Sequence, residues 1–150
     1  MAEGLNADRP QKLSVIVFSG AFDKVHYALV IASAAAAIDT PVTLFFTMEG
    51  ARALQRSAAQ ASPVWRTLAT EVPGRSGGDL DDVFKARNVA DFETLLSACR
   101  ELGVRFMVCE LGLKALGIER ADLRDDITFE SGGVVTFIND AQQDGAVLFI

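Results

Sequence analysis

Apolar residues follow two rhythms along this chain. Nearly unbroken runs, several of them β-branched, fill residues 13–18, 42–46, 104–108 and 146–150, each about the length of a strand buried on both faces. A fifth, weaker run at residues 127–129 follows Asp125 and Asp126 and completes a set of five strands. Helical spacing fills the gaps. Phe92, Leu95, Leu96, Cys99 and Leu102 make one apolar stripe, with Asp91 placed to cap its start and Gly103 to stop it. The alanine-rich residues 24–38 predict a helix packed closely on a sheet, capped by Asp23 and ended before Pro41. Thr47 is placed to cap a helix over residues 48–57, and Ser131, Gly132 and Gly133 open another that runs to about residue 142.

Strand and helix alternate, which predicts an α/β fold with a parallel sheet. Residues 58–88 break that alternation with Pro63, Pro73, Gly74, Gly77 and Gly78. They predict a long excursion with one or two short helices and a mobile stretch near residues 73–79. Residues 1–11 read as a flexible polar tail, and residues 12–150 as one domain.

The stretch from Phe106 to Ile118 organises the rest. Residues 105–108 end a buried strand, residues 110–116 make a short helix, and Gly117 stops it. Cys109 therefore falls where strand hands over to helix. Free backbone N–H groups collect there and favour a thiolate, while the neighbouring Glu110 opposes one. Lys114 is spaced to pair with Glu110 across one helical turn. In a parallel sheet the carboxyl ends of the strands share one edge, outside which ligands bind. Four loops meet there, holding Ser19, Gly20, Asp23 and Lys24, then Thr47, then Cys109 and Glu110, then Gly132 and Gly133. These residues could shape a small anion pocket around the thiol. Cys99, in the middle of its apolar stripe, reads as a structural cysteine.

Composition narrows the chemistry. Of 150 residues, 50% are hydrophobic and 23% charged, which fits a compact folded chain. The net charge of −6 comes without any basic run, so nucleic acid is not an expected partner. The longest apolar run, residues 28–38, is too short to span a bilayer, and residues 1–11 lack the apolar core of a signal peptide. Two cysteines without metal-type spacing are expected to be reduced thiols in a cytoplasmic protein. A G-x-G-x-x-G turn, a P-loop and a G-x-S-x-G elbow are all missing, and one histidine cannot build a multi-histidine metal site. The sequence calls for no cofactor and no metal. A Cys109–His26 dyad would need His26 to reach the thiol from the first helix.

The segments Phe18-Ser-Gly-Ala-Phe-Asp-Lys24, Pro41-Val-Thr-Leu-Phe-Phe-Thr-Met-Glu-Gly50 and Gly103-Val-Arg-Phe-Met-Val-Cys-Glu-Leu-Gly-Leu-Lys-Ala-Leu-Gly-Ile118 occur in this order. Together with Gly132-Gly-Val-Val-Thr136 and the closing Leu148-Phe-Ile150, they resemble the DsrE/DsrF-like family of sulfur-relay proteins across nearly the whole chain. That resemblance implies a three-layer α/β/α sandwich around a parallel five-stranded sheet, of flavodoxin-like or Rossmann-like form. It also implies a homo-oligomer, a trimer or hexamer. It implies that Cys109 carries sulfane sulfur as a persulfide or thiosulfonate, between donor and acceptor proteins or small sulfane-sulfur compounds, in a sulfurtransferase-like role. The chain departs from the family's usual pattern at Glu110, where many members have Gln, and at Gly112, where many have a polar residue. Those departures leave room for an alternative, a non-catalytic anion-binding or structural subunit of such an assembly.

Overall fold

The computed structural model describes residues 8–57 and 62–150. Its sheet has five parallel strands in the order β4-β3-β2-β1-β5, namely β1 (Leu13–Val17), β2 (Val42–Phe46), β3 (Arg105–Cys109), β4 (Phe129–Gly132) and β5 (Ala146–Phe149). The five-stranded α/β fold is as expected. Side chains alternate across the pleat, and two cores result. Leu13, Val15, Val17, Leu44, Phe46, Phe106 and Val108 point to one face. Helices α1 (Phe22–Ala37) and α3 (Phe92–Glu101) cover it, burying Val25, Leu29, Leu95, Leu96 and Cys99. Phe45, Met107 and Cys109 point to the other face, where they meet Phe137. That second layer is thin, because it rests on the seven-residue α5 (Val134–Asp140).

Strands β4 and β5 lie at opposite edges, so the chain carrying α5 crosses the whole sheet. Its far end is fastened by charge. Lys12 Nζ lies 2.8 Å from Asp140 Oδ2, Thr43 Oγ1 donates to the same oxygen at 2.6 Å, and Arg105 pairs with Asp140 Oδ1. Lys12 and Thr43 are buried. Burial alone would raise the Asp140 carboxyl, but the hydrogen bonds from Lys12 and Thr43 and the two cations hold it below the ordinary range.

Several boundaries differ from the sequence expectation. Helix α1 begins at Phe22 without a side-chain cap, because Phe22 is drawn into an aromatic cluster with Trp65, Phe84 and Phe92. Residues 48–57 give a 3-10 helix over Met48–Leu54 rather than an α-helix, and Thr47 makes no side-chain cap there. Strand β4 starts later than residues 127–129. Ile127 is a buried anchor in the connection, and the ladder with β3 runs through Phe129, Glu130, Ser131 and Gly132.

The excursion holds a second 3-10 turn (Val64–Thr67) and α2 (Gly77–Ala86). Residues 58–61 of it lie outside the described residues, as do residues 1–7 of the expected tail. The stretch expected to be mobile carries several hydrogen bonds. Ser76 forms a capping box with Asp79, and the Gly77 amide donates to the Leu68 carbonyl at 2.7 Å. Trp65 stacks on Phe92 at 4.6 Å, and its Nε1 donates to Glu93 at 2.8 Å. Asp81, almost fully buried, accepts from the Phe92 amide at 2.8 Å and so caps α3 from a different helix. Burial raises its carboxyl above the ordinary value despite that hydrogen bond.

Candidate functional site

Cys109 is the last residue of β3 and the residue before α4 (Glu110–Leu116). Gly117 ends α4 in the left-handed region, with φ 68°. The strand–cysteine–helix arrangement read from the sequence is therefore present. Exposure is not. Cys109 is 1% exposed, packed with Phe45, Met107 and Phe137, while Glu110 beside it faces solvent.

Two close approaches define its surroundings. Gly132 is paired with Cys109 in the β3–β4 ladder, and a Cβ at 132 would stand 3.0 Å from Thr136 Cβ and 3.2 Å from Met107 Sδ. The missing side chain lets the first turn of α5 settle onto the strand ends. On the other side, a Cβ at Gly112 would stand 2.5 Å from the Met48 nitrogen and 2.8 Å from Thr47 Oγ1. Gly112 thus seats α4 directly against the end of β2. A polar side chain there has no room, which gives a packing reason for this chain's departure from the family pattern.

Gly132 ends β4, Gly133 and Thr47 follow the two strands that flank β3, and Glu110 opens α4 directly after Cys109. The residues after β1 lie farther along the edge, since β2 separates β1 from β3. Ser19 Oγ accepts from the Ala21 amide at 3.1 Å, and Gly20 lies against Glu49. Asp23 accepts from the Glu71 amide, with both oxygens at 3.2 Å, and Lys24 pairs with the Glu71 carboxylate at 3.2 Å. Asp23 and Lys24 are thus occupied in holding the excursion. The expected Glu110–Lys114 ion pair is not formed among the described residues; Glu110 and Lys114 instead border a cleft of about 300 Å³ with Gly117, Glu119 and Arg120. Arg120 reaches back to β4, donating to Ser131 Oγ at 2.8 Å and the Phe129 carbonyl at 2.6 Å.

The Cys109–His26 dyad is not formed. His26 is buried on α1, its Nε2 2.8 Å from the Ala90 carbonyl and its ring 4.6 Å from Phe84, in the layer opposite Cys109. Cys99 is fully buried beneath α1, its thiol 3.6 Å from the Leu29 carbonyl, and burial pushes it up to about 12. The described residues hold no group of three or more His, Cys, Asp or Glu placed to bind a metal, and no described helix is long and apolar enough to cross a membrane.

Known proteins place this arrangement in context. The chain is 28% identical over 162 residues to the uncharacterized protein YrkE of Bacillus subtilis, covering 95% of this chain and 99% of that one. It is 24% identical over 158 residues to the sulfur carrier protein DsrE2 of Allochromatium vinosum, covering 93% and 98%. Two solved structures share the fold. They are the ychN protein of E. coli (TM-score 0.55, 14% identity, 93% and 99% covered) and MTH1491 of Methanobacterium thermoautotrophicum, a protein of unknown function (TM-score 0.50, 16% identity, 92% and 96% covered). The model of the DsrE/DsrF/DrsH-like family matches residues 9–149, and the chain belongs to that family.

Proposed function

We propose that this protein is a sulfur carrier that holds sulfane sulfur on Cys109. The observation that carries the reading is the position of Cys109 at the carboxyl end of β3, in a chain that aligns over 93% of its length with a protein named as a sulfur carrier. The chemistry requires one thiolate. With a polysulfide or persulfide donor, the Cys109 thiolate attacks the terminal sulfane sulfur, a new S–S bond forms, the donor's S–S bond breaks, and the shortened donor leaves as a thiolate or sulfide. With tetrathionate, thiosulfate leaves and Cys109 becomes a thiosulfonate. An acceptor thiolate then attacks the sulfane sulfur bonded to Cys109, the bond to the Cys109 sulfur breaks, and the Cys109 thiolate leaves unchanged, so no external oxidant or reductant is needed.

Thr47, Glu110, Gly132 and Gly133 flank the thiol, and Ser19, Gly20, Asp23 and Lys24 belong to the same edge at a greater remove. The carrier works between a donor and an acceptor, as a cytoplasmic homo-oligomer. Support for assembly comes from Val147 and Phe149 on the edge strand β5, large apolar residues exposed on the thinly covered face. Light scattering of the purified protein tests this part, and a monomer at all workable concentrations counts against it.

Cold cyanolysis tests the carrier itself. After incubation with polysulfide and desalting, the wild type releases thiocyanate and Cys109→Ala releases none. Equal release from both, or from neither, overturns the reading. The competing reading, an anion-binding or structural subunit, is favoured by the burial of Cys109 and predicts no release from either.

A further inference from the structure

A carrier thiol must meet its donor, yet Cys109 is buried in the cluster that α5 closes with Phe137. We infer that α5 is a displaceable cover, and that its first turn swings off the strand ends to admit a sulfane-sulfur donor to Cys109. The inference rests on the carrier reading above and adds the way in.

The helix is fastened unequally. At its carboxyl end, Asp140 is gripped by Lys12, Thr43 and Arg105. At its amino end, beside Cys109, the side-chain hydrogen bond is the 3.4 Å contact between the Gly133 amide and Thr136 Oγ1, which lies within the turn itself and ties it to nothing below. Of the seven residues of α5, Phe137 is the one that is buried. Val134, Val135 and Ile138 face outward. Lifting the first turn therefore removes one aromatic side chain from the core, while the Asp140 clamp holds the far end as a pivot. Gly133 precedes the helix and has open space where a side chain would be, so the backbone can rotate there without collision. The opposite layer stays intact, since Cys99 lies across the sheet under α1. Such an opening costs less than global unfolding.

Site-resolved alkylation of the folded protein tests this, with Cys99 as the internal reporter of global unfolding. Iodoacetamide labelling of the full chain, read by peptide mass spectrometry, gives both rates in one tube. In the wild type Cys109 is expected to react at least about tenfold faster than Cys99. Gly132→Ala wedges a methyl under Thr136 and is expected to raise the Cys109 rate severalfold relative to the Cys99 rate. Rates for Cys109 and Cys99 that stay equal in the wild type and in Gly132→Ala overturn the cover, because the thiol is then reached by global unfolding. Polysulfide loading measured in parallel separates the two ideas. Loading at the same rate in the wild type and Gly132→Ala overturns the cover and leaves the carrier standing. Accelerated alkylation without any sulfur adduct supports the cover and overturns the carrier.

Discussion

Cys109 pairs in register with Gly132 across the β3–β4 ladder, and the bare Cα at 132 brings Thr136 and Phe137 down over the strand ends. The thiol and its seal are thus specified by the same ladder. In a parallel sheet the carboxyl edge is where ligands are met. This chain presents a cysteine at that edge and then covers it with a single seven-residue helix held by one aromatic side chain and one carboxylate.

Gly112→Ala is expected to destabilise the protein by about 1–3 kcal/mol, because the added methyl meets backbone at the Met48 nitrogen rather than a side chain that can turn away. Denaturant unfolding monitored by circular dichroism measures this. A variant as stable as the wild type would mean that α4 and the end of β2 can part far enough to take a methyl that would otherwise stand 2.5 Å from the Met48 nitrogen.

Asp140→Asn strands Lys12, whose side chain is 6% exposed, without its anion. A loss of about 3 kcal/mol at neutral pH is expected. The sign of the pH dependence follows from the depressed carboxyl. Its contribution is fully present above the unfolded value of about 3.9 and is lost as pH falls through the lower folded value. Unfolding curves of wild type and variant should therefore converge on acidification. A gap that stays constant from pH 7 to below pH 3 would contradict the clamp.

Asp81 behaves in the opposite sense. Burial raises its carboxyl, so the folded state keeps the proton to higher pH than the unfolded chain does. Its contribution is greatest below about pH 4 and declines as pH climbs past the unfolded value. Asp81→Ala leaves the buried Phe92 amide without a partner and should cost about 2 kcal/mol. Asp81→Asn keeps an acceptor, should recover much of that loss, and should flatten the slope between pH 4 and 7. Thermal melts of the three proteins across that range decide it.

How far the sequence reaches depends on the distance over which each feature is encoded. Strand β2 and helix α4 fall on the expected residues because their signals are local, an apolar run in one case and Gly117 in the other. The Asp91 cap of α3 is equally local, with its side chain accepting from the Thr94 amide. Strand β4 was harder to place, since it is an edge strand chosen by pairing with β3 and its own residues Glu130, Ser131 and Gly132 carry little apolar pattern. The cap that Asp81 lends to α3, and the grip of Glu71 by Asp23 and Lys24, join residues far apart in sequence with no periodicity to announce them. The same holds for the site. The place of Cys109 at the strand end is legible, whereas its burial is not, because the cluster that buries it includes Phe137, brought over by a crossover from one edge of the sheet to the other.

The central claim is that Cys109, and not Cys99, takes up sulfane sulfur. Intact mass after incubation with polysulfide, thiosulfate or tetrathionate, run on wild type, Cys99→Ser and Cys109→Ser, tests it most directly. The account predicts a thiol-reducible sulfur adduct on the wild type and Cys99→Ser that is absent from Cys109→Ser. No adduct with any donor, or equal labelling of the two single-cysteine variants, would contradict it.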